Sequence, residues 1–292
     1  MKEEHTRAVD LSGLTGLRNW SLMLLLMATL FVGLPSVADA TTAANVGNDF
    51  YYTFNSSGTL NESGDMNESS SPYFYLNSGG QFLIDGGVGK TIQGKLAESD
   101  PTFLLYALSN ILDTDGGHQP QNIFRLLTRS EWKDAVNKVS WRITDLNLSD
   151  SPNRDGHNGI LLFSRYQDQD NLYYAGVRSD GSAIIKKKVG GTYYTLASVQ
   201  IFGTKGKYDR DNTPSLLPLD KWTGMKLETY NLKNGAVRLR LLLDRENDGS
   251  FVSILSADDN GVGGQAFVEA GHSGIRTDFM DVEFDNYRLT NK

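Results

Sequence analysis

The stretch that most constrains the fold is residues 158–190, NGILLFSRYQDQDNLYYAGVRSDGSAIIKKKVG. Residues 160–166 are an apolar run that ends in polar side chains. A polar loop of hairpin length follows at 167–171, then a second extended run at 173–178. Ser179-Asp180-Gly181-Ser182 reads as a tight turn, because Asp-Gly supplies the positive φ angles that a two-residue hairpin loop needs. Residues 183–189 complete an antiparallel meander. With Ser179 and Ser182 flanking the turn, Tyr174, Gly176 and Arg178 share a face with Lys187, Ile185 and Ala183. Tyr173, Ala175 and Val177, with Lys188, Lys186 and Ile184, form the more core-like face.

The rest of the chain repeats this pattern. Extended runs are expected at 49–54, 73–76, 81–85, 123–128, 139–146, 193–201, 221–231, 236–244, 251–258, 267–271 and 278–289. Residues 102–112 are apolar without strict alternation and fit a buried strand or a short helix. Residues 130–133 start like a helical turn capped by Ser130. Residues 202–218 form a long loop with Gly203, Gly206, Pro214 and Pro218, and loops of that length are often functional. Many strands, regularly spaced turns and almost no helix indicate an all-β sandwich or barrel. No repeat of fixed period supports a propeller. Gly86-Gly87-Val88-Gly89-Lys90-Thr91 lacks the glycine spacing and the following helix of a phosphate loop.

Composition narrows the function classes. The chain has 292 residues, a net charge of −7 and no cysteine. Thiol catalysis, cysteine-ligated zinc and disulfide staples are therefore excluded. The only basic run, Lys186-Lys187-Lys188, lies within a strand, and no nucleic-acid partner is expected. Residues 20–34 are apolar, follow Arg18 and end at Pro35, and Ala38-Asp39-Ala40 fits a small-x-small cleavage site. Residues 1–40 are accordingly expected to be a signal peptide or membrane anchor, and residues 41–292 one domain. The expected location is extracellular or in the cell envelope, with membrane contact only through an uncleaved anchor. Asn55, Asn61, Asn67 and Asn147 open Asn-x-Ser sequons.

Several segments then come in a telling order: the meander, Trp222-Thr223-Gly224-Met225-Lys226-Leu227-Glu228, Val237 to Asp244 (VRLRLLLD), Gly274-Ile275-Arg276, and Val282-Glu283-Phe284-Asp285-Asn286-Tyr287. This resembles the concanavalin A-like lectin/glucanase superfamily, over residues 120–292 more than 45–120. The resemblance implies two curved antiparallel sheets stacked as a jelly roll, with a concave face that meets a polysaccharide or cell-surface glycan. It also implies a structural calcium ion, with Asp285 on the last strand facing Asp49 on the first.

Sugar recognition needs flat aromatic faces and forked polar groups, and acidic sugars add a need for Arg or Lys. Tyr174, Arg178, Arg165 and Lys187 are the expected glycan contacts. The first expectation is a carbohydrate-binding, lectin-like domain. The alternatives are a polysaccharide lyase or glycoside hydrolase, and a structural envelope or adhesion domain. Tyr173-Tyr174-Ala175-Gly176-Val177 is similar to the tyrosine strand of alginate lyases, although their Gln-x-His motif is absent. His157, Arg165, Tyr166 and Tyr174 are the candidate catalytic set for that alternative. Asp281, Glu283 and Asp285 alternate on the last strand without matching the laminarinase motif, and are expected to form a solvated outer face.

Overall fold

A computed structural model describes residues 49–203 and 206–292. The expected signal or anchor segment at 1–40 lies outside the described residues. In chain order the first strands are β1 (Phe50–Tyr52), β2 (Gly58–Asn61), β3 (Phe74–Ser78), β4 (Gln81–Asp85) and β5 (Val88–Lys90). After helix α1 (Phe103–Ser109) come β6 (Phe124–Trp132), β7 (Ala135–Leu146), β8 (Gly159–Asp168), β9 (Asn171–Arg178), β10 (Ser182–Val189) and β11 (Thr192–Gln200). The last are β12 (Thr223–Asn231), β13 (Val237–Asp244), β14 (Val252–Asp259), β15 (Gly271–Thr277) and β16 (Met280–Asn291).

They form two antiparallel sheets. One has the order β14-β13-β12-β7-β16-β5-β4-β2, with β1 added on β16. The other has the order β11-β10-β9-β8-β15-β6-β3. The two C-terminal strands each insert between earlier strands, β16 between β7 and β5 and β15 between β8 and β6. The sandwich expected from the sequence is therefore present, in the interleaved order of a jelly roll. Inward side chains of the two sheets meet in one core. Trp141, Leu227, Leu241 and Phe284 face Leu126, Leu162, Ala175 and Ile185 across it. Each large apolar side chain so buried contributes about 1.5–3 kcal/mol.

The N-terminal strands are short and are held by aromatic packing. Tyr52 and Phe54 meet edge to face with centroids 4.9 Å apart, and Phe74 meets Tyr287 at 5.6 Å. Phe284 and Tyr287 both point inward although three residues apart. A bulge between Asp285 and Arg288, with Asn286 at φ 52°, resets the alternation.

Three local expectations are resolved by the structure, the first in favour of the short helix among its two alternatives. Residues 102–112 contain a helix, and its anchor is Tyr106. The Tyr106 hydroxyl accepts from the amides of Gly79 (2.8 Å) and Gly80 (3.1 Å) and donates to Glu62. Leu104, Leu105 and Leu108 remain exposed on the outer side of α1. The helical turn expected at 130–133 is instead the end of β6. Ser130 does not cap a helix there; its hydroxyl accepts from the Trp132 indole at 2.9 Å.

The β9–β10 turn matters most for function. The β9–β10 connection spans three residues, not two. Gly181 is at φ 80°, while Asp180 is not in the left-handed region. Asp180 instead accepts the Ser182 amide at 2.9 Å, and the Gly181 amide closes the turn onto Arg178 O at 2.8 Å. Ala183 thus pairs with Val177 and Lys186 with Tyr174. A shift of one residue exchanges the faces of a whole strand. Lys186 and Lys188 now share the outer face with Tyr174, and Lys187 points into the core.

Candidate functional site

The face of the second sheet turned away from the core carries the candidate site. A pocket of about 70 Å³ opens there, lined by Arg125, Tyr166, Tyr174, Lys188, Tyr193 and Arg276, with Phe163, Leu172 and Gln169 completing the wall. Five neighbouring strands and β11 supply these side chains. Arg125 pairs with Arg276 across β6 and β15, and Phe163 with Tyr174 across β8 and β9. Rows of this kind place side chains about 5 Å apart.

Geometry fixes the orientation of most of them. Arg276 is held by Asp278 at 2.8 Å, and Arg125 donates to Asn77 Oδ1 at 2.7 Å. Tyr174 and Tyr193 meet edge to face at 6.1 Å. Tyr193 is half exposed, with the ammonium groups of Lys188 (4.9 Å) and Lys186 (5.3 Å) over its ring. Burial, and then Tyr193, push the Tyr174 phenol well above its usual range. The arrangement offers flat apolar surfaces beside forked, charged donors.

Of the residues expected to act together, Tyr166 and Tyr174 line this pocket. Arg178 lies further along β9 on the same face, where Asp180 holds it. Arg165 does not reach the pocket. It is fully buried at φ 48°, and its guanidinium donates to Lys133 O (2.9 Å), Asn231 Oδ1 (2.7 Å) and Asp134 Oδ1 (3.0 Å). Those bonds tie the β6–β7 turn to the end of β12. His157 sits in an exposed loop, its ring 3.0 Å from Asp155, and is not among the pocket side chains. Arg125, Arg276, Lys188, Tyr193 and Gln169 were not singled out as site residues from sequence. The Gly274-Ile275-Arg276 segment was visible, but not the strand that would face it.

Lys187, expected on the glycan face, is fully buried between the sheets. Its ammonium lies 2.9 Å from Asp259 and donates to the carbonyls of Val262 (3.1 Å), Gly264 (2.8 Å) and Gln265 (2.8 Å). Tyr173 donates to the same carboxylate at 2.5 Å. Burial alone would raise the Asp259 carboxyl. Hydrogen bonds from Tyr173, Lys187 and the amides of Val262 and Gly261 outweigh it and hold the group below its usual range.

The carboxylates of β16 are not an open acidic row. Asp281 accepts from Gln121 (2.9 Å) and from Asn147 (3.0 Å), and Glu283 is paired with Arg142. Both are buried, which corrects the solvated face expected for them. The Asn147 sequon is buried with them. Asp49 pairs with Arg288 at 3.0 Å, whereas Asp285 holds the Asn286 amide at 2.6 Å. β1 begins opposite Leu289, so these two carboxylates sit at separate places along β16. Among the described residues no group of three His, Asp or Glu side chains converges as a metal site. Among the described residues Asp49 and Asp285 thus have separate partners and do not share one ligand set.

No protein-family model matches the sequence, and no curated protein matches it. Solved structures do. A carbohydrate binding module, CBM66, from Bacillus subtilis is 17% identical over 59% of this chain and 85% of that one, with a TM-score of 0.40. The exoplasmic/lumenal domain of VIP36, in a Ca²⁺/Man-bound form, is 12% identical over 80% and 89%, with a TM-score of 0.43. A Bacillus licheniformis beta-glucanase is 10% identical over 85% and 100%, also at 0.43. The chain is a two-sheet antiparallel jelly-roll sandwich, as its strand order and single inter-sheet core define it.

Proposed function

We propose that the outer face of the second sheet binds polysaccharide and that the protein is a carbohydrate-binding sandwich acting outside the cytoplasm. The observation that carries this reading is the joint placement of Tyr166, Tyr174 and Tyr193 with Arg125 and Arg276 around one open pocket. Aromatic faces stack on sugar C–H groups, and arginine forks read hydroxyls and acidic substituents. The described part of the long loop is anchored away from this face. Leu216 donates to Ser179 O at 2.8 Å and Arg210 to Ser151 O at 2.9 Å, both at one end of the sandwich.

Binding accounts for the site better than catalysis does. Glycoside hydrolysis needs a pair of carboxyl groups flanking the scissile bond. No carboxylate is among the described residues lining the pocket. Proton abstraction by Tyr174 would need a lowered phenol pKa, and burial drives it the other way.

The test is incubation of the full chain with a panel of neutral and charged polysaccharides, reading both retention and products by mass spectrometry. Retention on intact polymer is the expected result. Unsaturated fragments would replace the reading with a lyase, and saturated fragments with a hydrolase. No retention on any polymer would leave a structural sandwich.

A further inference from the structure

The charges on the outer face of the second sheet are unevenly matched. Arg276 is paired with Asp278, Arg178 with Asp180 and Lys188 with Asp170. Asp168, in the same hairpin loop as Asp170, is taken up by Asn171 and by the Asp170 amide. Arg125 and Lys186 form no salt bridge among the described residues, although Arg125 lies close enough to Glu62 and Asp278 to favour their charged forms. Arg125 donates to the neutral Asn77 and also to the Tyr166 hydroxyl, and Lys186 rests over the Tyr193 ring at 5.3 Å.

Arg125 lines the pocket, and Lys186 lies just outside it, beyond Tyr174 and over the Tyr193 ring. Arg125 is on β6 and Lys186 on β10, with β15, β8 and β9 between them. At the usual strand spacing their backbones are about 19 Å apart. Between them Gly176, paired with Leu161, and Gly274, paired with Phe163, add no side chain to this face. The face thus gathers five cations and three paired carboxylates on a molecule whose net charge is −7. Burial and then Arg178 lower the affinity of Lys186 for its proton, so Lys186 already lies within a cationic field. Leaving like charges together without a counter-ion costs energy, unless an anion from outside completes the set.

We propose that this groove selects anionic polysaccharides, whose carboxylate or sulfate groups are met by Arg125 and Lys186 while Tyr174 and Tyr193 carry the sugar faces. The inference rests on the polysaccharide-binding reading and specifies the substrate class of that same site. A carboxylate and a sulfate ester present the same acceptor oxygens to a guanidinium or ammonium group.

Titration calorimetry at 0.15 M NaCl against matched polymers separates the outcomes. Polygalacturonate is compared with its methyl ester, and dextran sulfate with dextran. The charged member of at least one pair is expected to bind at least about tenfold tighter than its neutral counterpart. Preference within the first pair assigns carboxylate sugars, and within the second, sulfated ones. The double variant Arg125→Gln, Lys186→Gln should lose that preference while keeping its melting temperature. Raising the salt to 0.5 M should weaken the wild type toward the variant. Lys221→Gln, which removes a charge beside Glu246 elsewhere, should change nothing.

Equal binding of charged and neutral members, reduced by Tyr193→Ala, would overturn the anionic class and leave the polysaccharide site standing. An equal loss in the Lys221→Gln control would mean diffuse attraction and would also overturn it. No binding to any polymer would remove both readings. Should the double variant fail to fold, Lys186→Gln alone, at a partly exposed strand position, carries the same comparison.

Discussion

Lys187, which pairs with Asp259, shows how a side chain can be read correctly by type and wrongly by face. Both are fully buried, and each satisfies the other's charge while three carbonyls and two amides complete the set. Removing one member of such a pair strands the other. Lys187→Met is expected to cost about 3–5 kcal/mol in urea unfolding, and Lys187→Met with Asp259→Asn less than that. The pH dependence follows from the lowered Asp259 carboxyl. Its contribution is present above the ordinary value of 3.8 and is lost as pH falls through the still lower folded value. The stability gap between wild type and Asp259→Asn should therefore be constant near neutrality and shrink below about pH 4. A gap that stayed flat into acid would mean that Asp259 is not an ionised partner.

At the scale of elements, the β9–β10 turn decides which lysines meet solvent. A two-residue loop and a three-residue loop are both compatible with Ser179-Asp180-Gly181-Ser182, and the choice flips all of β10. Gly181 is the residue that admits the longer loop. A Cβ there would lie 2.0 Å from Phe202 O, at φ 80°. Gly181→Ala is expected to cost about 2–4 kcal/mol and to shift amide NMR signals along β10. Helix α1 depends in the same way on one residue. Tyr106→Phe leaves the Gly79 and Gly80 amides and Glu62 without their shared partner, and a loss of about 1–3 kcal/mol is expected by thermal melting. The strands of the meander were legible because their apolar runs are long and their turns carry Asp-Gly or polar loops. The pocket was only partly legible. Tyr166 and Tyr174 lie within the meander, but Arg125 and Arg276 come from β6 and β15, which become neighbours only in the fold. Arg165 and Lys187 misled because burial of a charged side chain depends on partners far along the chain.

For the molecule as a whole, interleaving makes the sandwich one unit. β15 and β16 close both sheets from the centre, so neither sheet is complete until the end of the chain is in place. One continuous cluster of buried side chains spans the two sheets. A single calorimetric transition is expected, with matching calorimetric and van't Hoff enthalpies, and two resolved transitions would show that the sheets melt separately. The sequence pattern conveyed the sandwich but not this insertion, because strand order depends on pairings more than a hundred residues apart, such as Glu283 with Lys90. The segment from Asp259 to Phe267 illustrates what a chain without cysteine can do instead of cross-linking. The Lys187 ammonium gathers carbonyl oxygens and a carboxylate much as a bound ion would, but it is tethered to β10. That closure needs no supply from its surroundings, so neither a chelator nor a calcium-poor medium should loosen this end of the sandwich.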